Sequence, residues 1–136
     1  MRRLYQASLF YLIVGLVAGV IYREVTRWLA FTGTTKLSLL HAHTLVLGML
    51  FFLIALLLEK QFQLTKSRHF KRFFWTYNAG LVVTIGLMAF IGTQQLLGNP
   101  HISGMVAGIS GLGHILLAVG LGFFFAALGE RVKKAK

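Results

Sequence analysis

The sequence of 136 residues contains no cysteine. Disulfides, thiolate metal sites, CxxCH heme attachment and cysteine-ligated iron–sulfur clusters are thereby excluded, so a bound heme must be non-covalent. Proline occurs once, at Pro100. Acidic residues number three against fourteen Lys and Arg, a formal net charge of +11. No carboxylate falls inside an apolar run, so a proton relay through the membrane has no obvious carrier. Acid–base pairs, nucleophile constellations and phosphate-binding loops are also missing. The positive balance does not point to nucleic acid. The basic residues cluster between apolar runs, where they flank membrane spans.

What the chain has instead is apolar length. Hydrophobic residues make up 57% and the mean hydropathy is +0.74, far above a soluble domain. Four runs stand out, at residues 4–22, 37–58, 73–97 and 102–128. Each can cross a hydrocarbon core of about 30 Å at about 1.5 Å per residue. They are apolar all round and lack the stripe of a soluble amphipathic helix. The first has no small-residue cleavage site before Tyr22-Arg23-Glu24 and reads as a retained helix. Gly98-Asn99-Pro100-His101 predicts a tight hairpin between the third and fourth runs. The expected fold is all-α: one integral-membrane four-helix domain over residues 1–136. Eleven of the fourteen basic residues lie on the side that carries both termini and the second loop. That asymmetry predicts cytoplasmic termini. Trp28 and Trp75 fall near span ends, where indoles favour the interface.

Ionisable residues within such runs are rare and point to function. His41-Ala42-His43 opens the second run, and His114 lies in the fourth. His43 precedes Glu59 by sixteen residues, and His114 precedes Glu130 by the same interval. With both glutamates marking the inner boundary, both histidines sit about 24 Å above it. Paired imidazoles at matched depth on facing helices are what a transmembrane heme needs. Around His114 the helical face is small: Gly104, Ala107, Ser110, Gly111, Ala118 and Gly122. Glycine lets a porphyrin approach the backbone, although small residues also serve helix packing.

Histidines two apart point about 200° apart on a helix, so His41 and His43 cannot share one iron. His41 shares its face with Thr44 and Gly48, and His43 with Leu39, Leu47 and Leu50. Face polarity favours His41. Depth favours His43, which we take as the partner of His114. The expected cofactor set is then His43 and His114, with His41 in reserve and Gly48, Gly104 and Gly111 beside them. The remaining histidine is available to a second heme, a metal, a propionate or a partner subunit. His101 in the outer hairpin offers a weaker alternative, a copper or zinc site with His41. His69 reads as a surface residue of the inner loop. Gln94 and Gln95 suit a propionate or a quinone carbonyl, Arg23 and Lys36 a propionate, with Tyr77, Asn78 and Thr84 weaker candidates.

Tyr22-Arg23-Glu24 after the first span, His41 to Met49 opening the second, and Gly111-Leu112-Gly113-His114 in the fourth form a set. Over nearly its whole length the chain resembles small bacterial membrane proteins of a domain-of-unknown-function family, with the motifs YRE, HxHxxxLGM and GLGH. That resemblance implies a multi-pass protein of the bacterial cytoplasmic membrane and carries no function. More locally, the segment is similar to helices of heme–copper oxidase catalytic subunits, where helix histidines ligate heme b. The further histidines of a complete heme–copper centre are lacking, so oxidase or nitric oxide reductase chemistry is not expected of this chain alone.

The leading expectation is a heme b protein for electron transfer, heme handling or gas sensing. Two axial histidines favour electron transfer, and loss of one would open the iron to oxygen or nitric oxide. The alternatives are copper binding or transport through His41, His43 and His101, and a structural accessory subunit of a larger complex. The expected partners are the lipid bilayer, a second copy in a homodimer, and a quinone or redox protein.

Overall fold

The computed structural model describes residues 1–99, 101 and 103–134. Pro100, the expected helix start at Ile102, and the tail residue Lys136 lie outside the described residues. The described chain is helical: α1 Arg2–Trp28, α2 Leu37–Phe62, α3 Phe70–Leu96 and α4 Gly104–Lys134. All four are long and apolar enough to span a membrane. Each of α1 and α3 has 27 residues, about 40 Å of helix. Helices therefore run past the apolar runs, because charged residues such as Arg2, Lys60, Arg72 and Arg131 continue the last turns beyond the hydrocarbon.

Glycine sets how the helices pair. A Cβ at Gly15 of α1 would lie 2.7 Å from Leu45 Cδ2 of α2, and one at Gly48 would collide with the Tyr11 ring. In α3 and α4, a Cβ at Gly80 would meet Leu117 N at 2.7 Å, and one at Gly120 would meet Tyr77 Cα at 2.8 Å. These are backbone approaches that only glycine permits, the usual route to tight pairing where lipid supplies no hydrophobic drive. α3 packs mainly on α4, and α1 mainly on α2.

The half of the bundle nearer the basic loop is filled by rings. Phe51 lies 4.4 Å from Tyr77 and 5.2 Å from Phe124, centroid to centroid, joining α2, α3 and α4. Phe52, Phe73 and Leu81 are fully buried beside them. Beyond these rings, contacts between α2 and α4 fall away, and in the outer half each packs on α3 instead.

Within α2 the segment Thr44–Leu50 is π-helical. The wider turn redirects main-chain carbonyls, and hydroxyls from neighbouring helices take two of them. Tyr77 Oη of α3 donates to Leu47 O at 2.9 Å, and Ser8 Oγ of α1 donates to Met49 O at 3.0 Å. Such turns are frequent at functional sites. This one begins directly after His43.

A short loop closes the basic end. Gln63 turns the chain with φ 55°, and Leu64–Lys66 forms one 3₁₀ turn. Thr65 donates to Glu59 from its backbone N (2.8 Å) and its Oγ1 (2.6 Å). Ser67 Oγ donates to Glu130 Oε2 at 2.7 Å, and Arg131 Nε donates to Phe62 O at 3.0 Å. The N-terminal ammonium stands 4.0 Å from Glu59. The N-terminus, the α2–α3 loop and the last turns of α4 thus meet at one end.

Candidate functional site

The two glutamates at the basic end are in register, since residues 65 and 67 of one loop bind them. His43 and His114 are each sixteen residues outward from those markers. The π-helical segment shortens the rise on α2, so His43 lies slightly lower than a regular helix would put it.

Both histidines use the same local device. His43 Nδ1 lies 3.0 Å from Leu39 O, and His114 Nδ1 lies 2.9 Å from Ser110 O. In each case the partner is the carbonyl four residues earlier on the same helix. A carbonyl oxygen can only accept, so the neutral ring carries its proton on Nδ1. Nε2 then holds the free lone pair, and it has no hydrogen-bond partner among the described residues. Metal-bound histidines are commonly oriented this way, with the second ring nitrogen donating to a backbone carbonyl.

The setting of the pair is the surface of the bundle rather than its sealed interior. His114 is exposed and His43 half-buried. Ala42, Val46 and Leu47 line a shallow cavity of about 270 Å³ with His43. Inward of each histidine the same faces join the core. Leu47 packs against it four residues after His43, and Leu121 does so seven residues after His114. The histidines therefore stand just outward of the level at which α2 and α4 separate.

His41 differs in kind. It is half-buried, with its Cβ facing Gly19 of α1, and its Nδ1 is buried without a hydrogen-bond partner. His69, expected at the surface, is half-buried. It stacks on Phe123 at 6.4 Å, Nε2 accepts from Arg68 Nε at 3.2 Å, and Nδ1 is unpartnered. His101 is exposed and borders a small cavity with Gln94 and Ser103. Among the described residues no three His, Cys, Asp or Glu side chains converge on a point. The copper site of His41, His43 and His101 is therefore not assembled.

The three expected glycines separate. Gly104 and Gly111 face open space, with nothing within 4 Å of an added Cβ. Gly108 and Gly122 are equally open. Gly48, by contrast, is closed by the Tyr11 ring, so it serves the α1–α2 contact and cannot lie against a porphyrin. Sequence periodicity missed this because the partner ring comes from another helix.

Several of the remaining polar candidates are engaged in structure. Gln95 Oε1 accepts from Lys36 N at 2.8 Å, and Thr35 Oγ1 donates to Gly92 O at 2.8 Å, seating the start of α2 on the end of α3. Tyr11 Oη donates to Asn78 Oδ1 at 2.9 Å. Thr84 Oγ1 is buried beside Gly113 without a partner. Arg23 Nε stands 4.0 Å from Glu24. The carbonyls of Leu39 and Ser110 were not among the expected site groups. No signal could have singled them out, since every residue carries one.

A family model described as a protein of unknown function (DUF2871) matches residues 1–131. The chain belongs to that family. No curated protein and no solved structure matches it. Membership agrees with the motif resemblance and adds no chemistry, so function must be argued from the histidines.

Proposed function

We propose that the protein is a membrane heme b protein, in which Nε2 of His43 and Nε2 of His114 would hold the iron. One observation carries the reading: two histidines on membrane-spanning helices, in register from a common anchor, each place Nδ1 on the carbonyl four residues earlier and leave Nε2 without a partner among the described residues. An unpaired imidazole nitrogen in hydrocarbon is costly, and a metal removes that cost. A porphyrin supplies four ligands, so two from the protein complete the iron and a third is not required. The open face at Gly104 and Gly111 offers backbone for a flat ring to lie against. Heme b, when bound, supplies one-electron exchange. Held by two imidazoles, it would serve electron transfer rather than gas binding.

The finer parts of the reading are proposals as well. The basic end, with eleven of fourteen Lys and Arg, is placed in the cytoplasm of a bacterial cell membrane. A second copy is proposed to cover the exposed histidine face, since two-fold dimers are the commonest oligomers. A quinone or a redox protein is the proposed electron partner.

The test is a reduced-minus-oxidised spectrum of detergent-purified protein, with heme content per chain. His43→Ala and His114→Ala should each severely deplete heme or alter its spectrum, and His69→Ala should leave both unchanged. His41→Ala should be milder than His43→Ala. Full heme with an unaltered spectrum in His114→Ala would sink the proposal.

A further inference from the structure

At the basic end, between α1 and α3, lies a groove of about 470 Å³. Arg3, Gln6, Ala7 and Phe10 line it from α1, running inward from the basic end, and Phe74, Trp75 and Asn78 line it from α3. From Arg3 to Phe10 is two turns, about 10 Å along the helix. The Tyr11–Asn78 hydrogen bond bounds the deep end. The surface therefore passes from a guanidinium and an indole to bare hydrocarbon within the depth of one interfacial layer.

Among the described residues the charge at the mouth has no protein counterion. The chain has three acidic side chains. Glu24 lies at the other end of α1, paired with Arg23. Glu59 is occupied by Thr65 and the N-terminal ammonium, and Glu130 by Ser67 and Lys134. Arg3 makes no ion pair among the described residues, and Arg2, Lys71 and Arg72 add further positive charge at the same end. Trp75, 66% exposed, has the amphipathic shape that settles at headgroup level.

We propose that this groove binds one anionic phospholipid, with its phosphate at Arg3, its glycerol region beside Trp75, and one acyl chain along Ala7, Phe10 and Phe74. The lipid then supplies the counterion that no described residue provides. Basic pockets between helices at a membrane surface recognise anionic headgroups in this way. The site is independent of heme, since no histidine lines it.

The full chain is reconstituted into phosphatidylcholine nanodiscs doped with phosphatidylglycerol, and retained lipid is counted by native mass spectrometry. Phosphatidylglycerol should be retained in preference to phosphatidylcholine. Arg3→Gln should lower that preference about fivefold, equivalent to about 1 kcal/mol. Trp75→Ala should lower retention of the lipid as well. Lys133→Gln, an exposed cation at the same end but outside the groove, should leave it unchanged. Equal retention of the two lipids, or equal effects of Arg3→Gln and Lys133→Gln, would overturn the assignment. Both positions are exposed, so these substitutions disturb no core contact.

Discussion

Gly120→Ala isolates the packing face of α4. The added methyl would sit 2.8 Å from Tyr77 Cα, 2.9 Å from Tyr77 Cβ and 2.9 Å from Tyr77 N. Carbon atoms in good contact are about 3.5–4.0 Å apart, so α3 and α4 must separate by about 1 Å. Backbone cannot swing aside as a side chain can. Tyr77 is itself pinned, with its ring against Phe51 at 4.4 Å and its hydroxyl on Leu47 O at 2.9 Å. Overpacking of this kind costs about 1–3 kcal/mol. Strain on the Tyr77 hydrogen bond adds up to about 1 kcal/mol. Alanine's better helix propensity returns up to about 1 kcal/mol. We expect a net loss of about 2 kcal/mol. Gly122→Ala, two residues on and facing open space, keeps the propensity gain without the clash and should be neutral or slightly stabilising. The assay is SDS-induced unfolding of the detergent-solubilised protein followed by circular dichroism. Equal midpoints for the two variants would refute the packing argument.

Gly111→Phe fills the open face beside His114, and should lower heme content while leaving the unfolding midpoint near the parent value. Tyr77→Phe removes the donor to Leu47 O in the π-helical stretch and should cost about 1 kcal/mol in the same unfolding assay. No measurable loss would mean that the carbonyl finds another partner. A reporter fused after Lys136 should be active only as a cytoplasmic enzyme. Activity on the outer side instead would reverse the proposed orientation.

The motif histidines, the four spans and the clustering of basic residues at one end were legible in the sequence because each depends on residue type and position along the chain. Hydropathy marks where a helix enters lipid, and every helix found falls on an expected run. The ends extended further, from Arg2 and to Lys134, since a helix need not stop where the hydrocarbon stops. The equal intervals from Glu59 to His43 and from Glu130 to His114 were also readable. What made that comparison meaningful was the loop that binds both glutamates, and this was not readable.

Which way each residue faces was decided by the tertiary structure alone. In water an amphipathic stripe marks the core, but in lipid the outside of a helix is as apolar as its inside, so the sequence pattern carries almost no azimuth. Gly48, Gly113 and Gly120 are closed by neighbouring helices, whereas Gly104, Gly108, Gly111 and Gly122 are open. All are the same residue in similar surroundings. The difference between His41 and His43 has the same root: His43 Nδ1 has a carbonyl partner, while His41 Nδ1 is buried without one. That difference follows from the packing of α1 against α2 and from rotamers, which span length and composition do not specify.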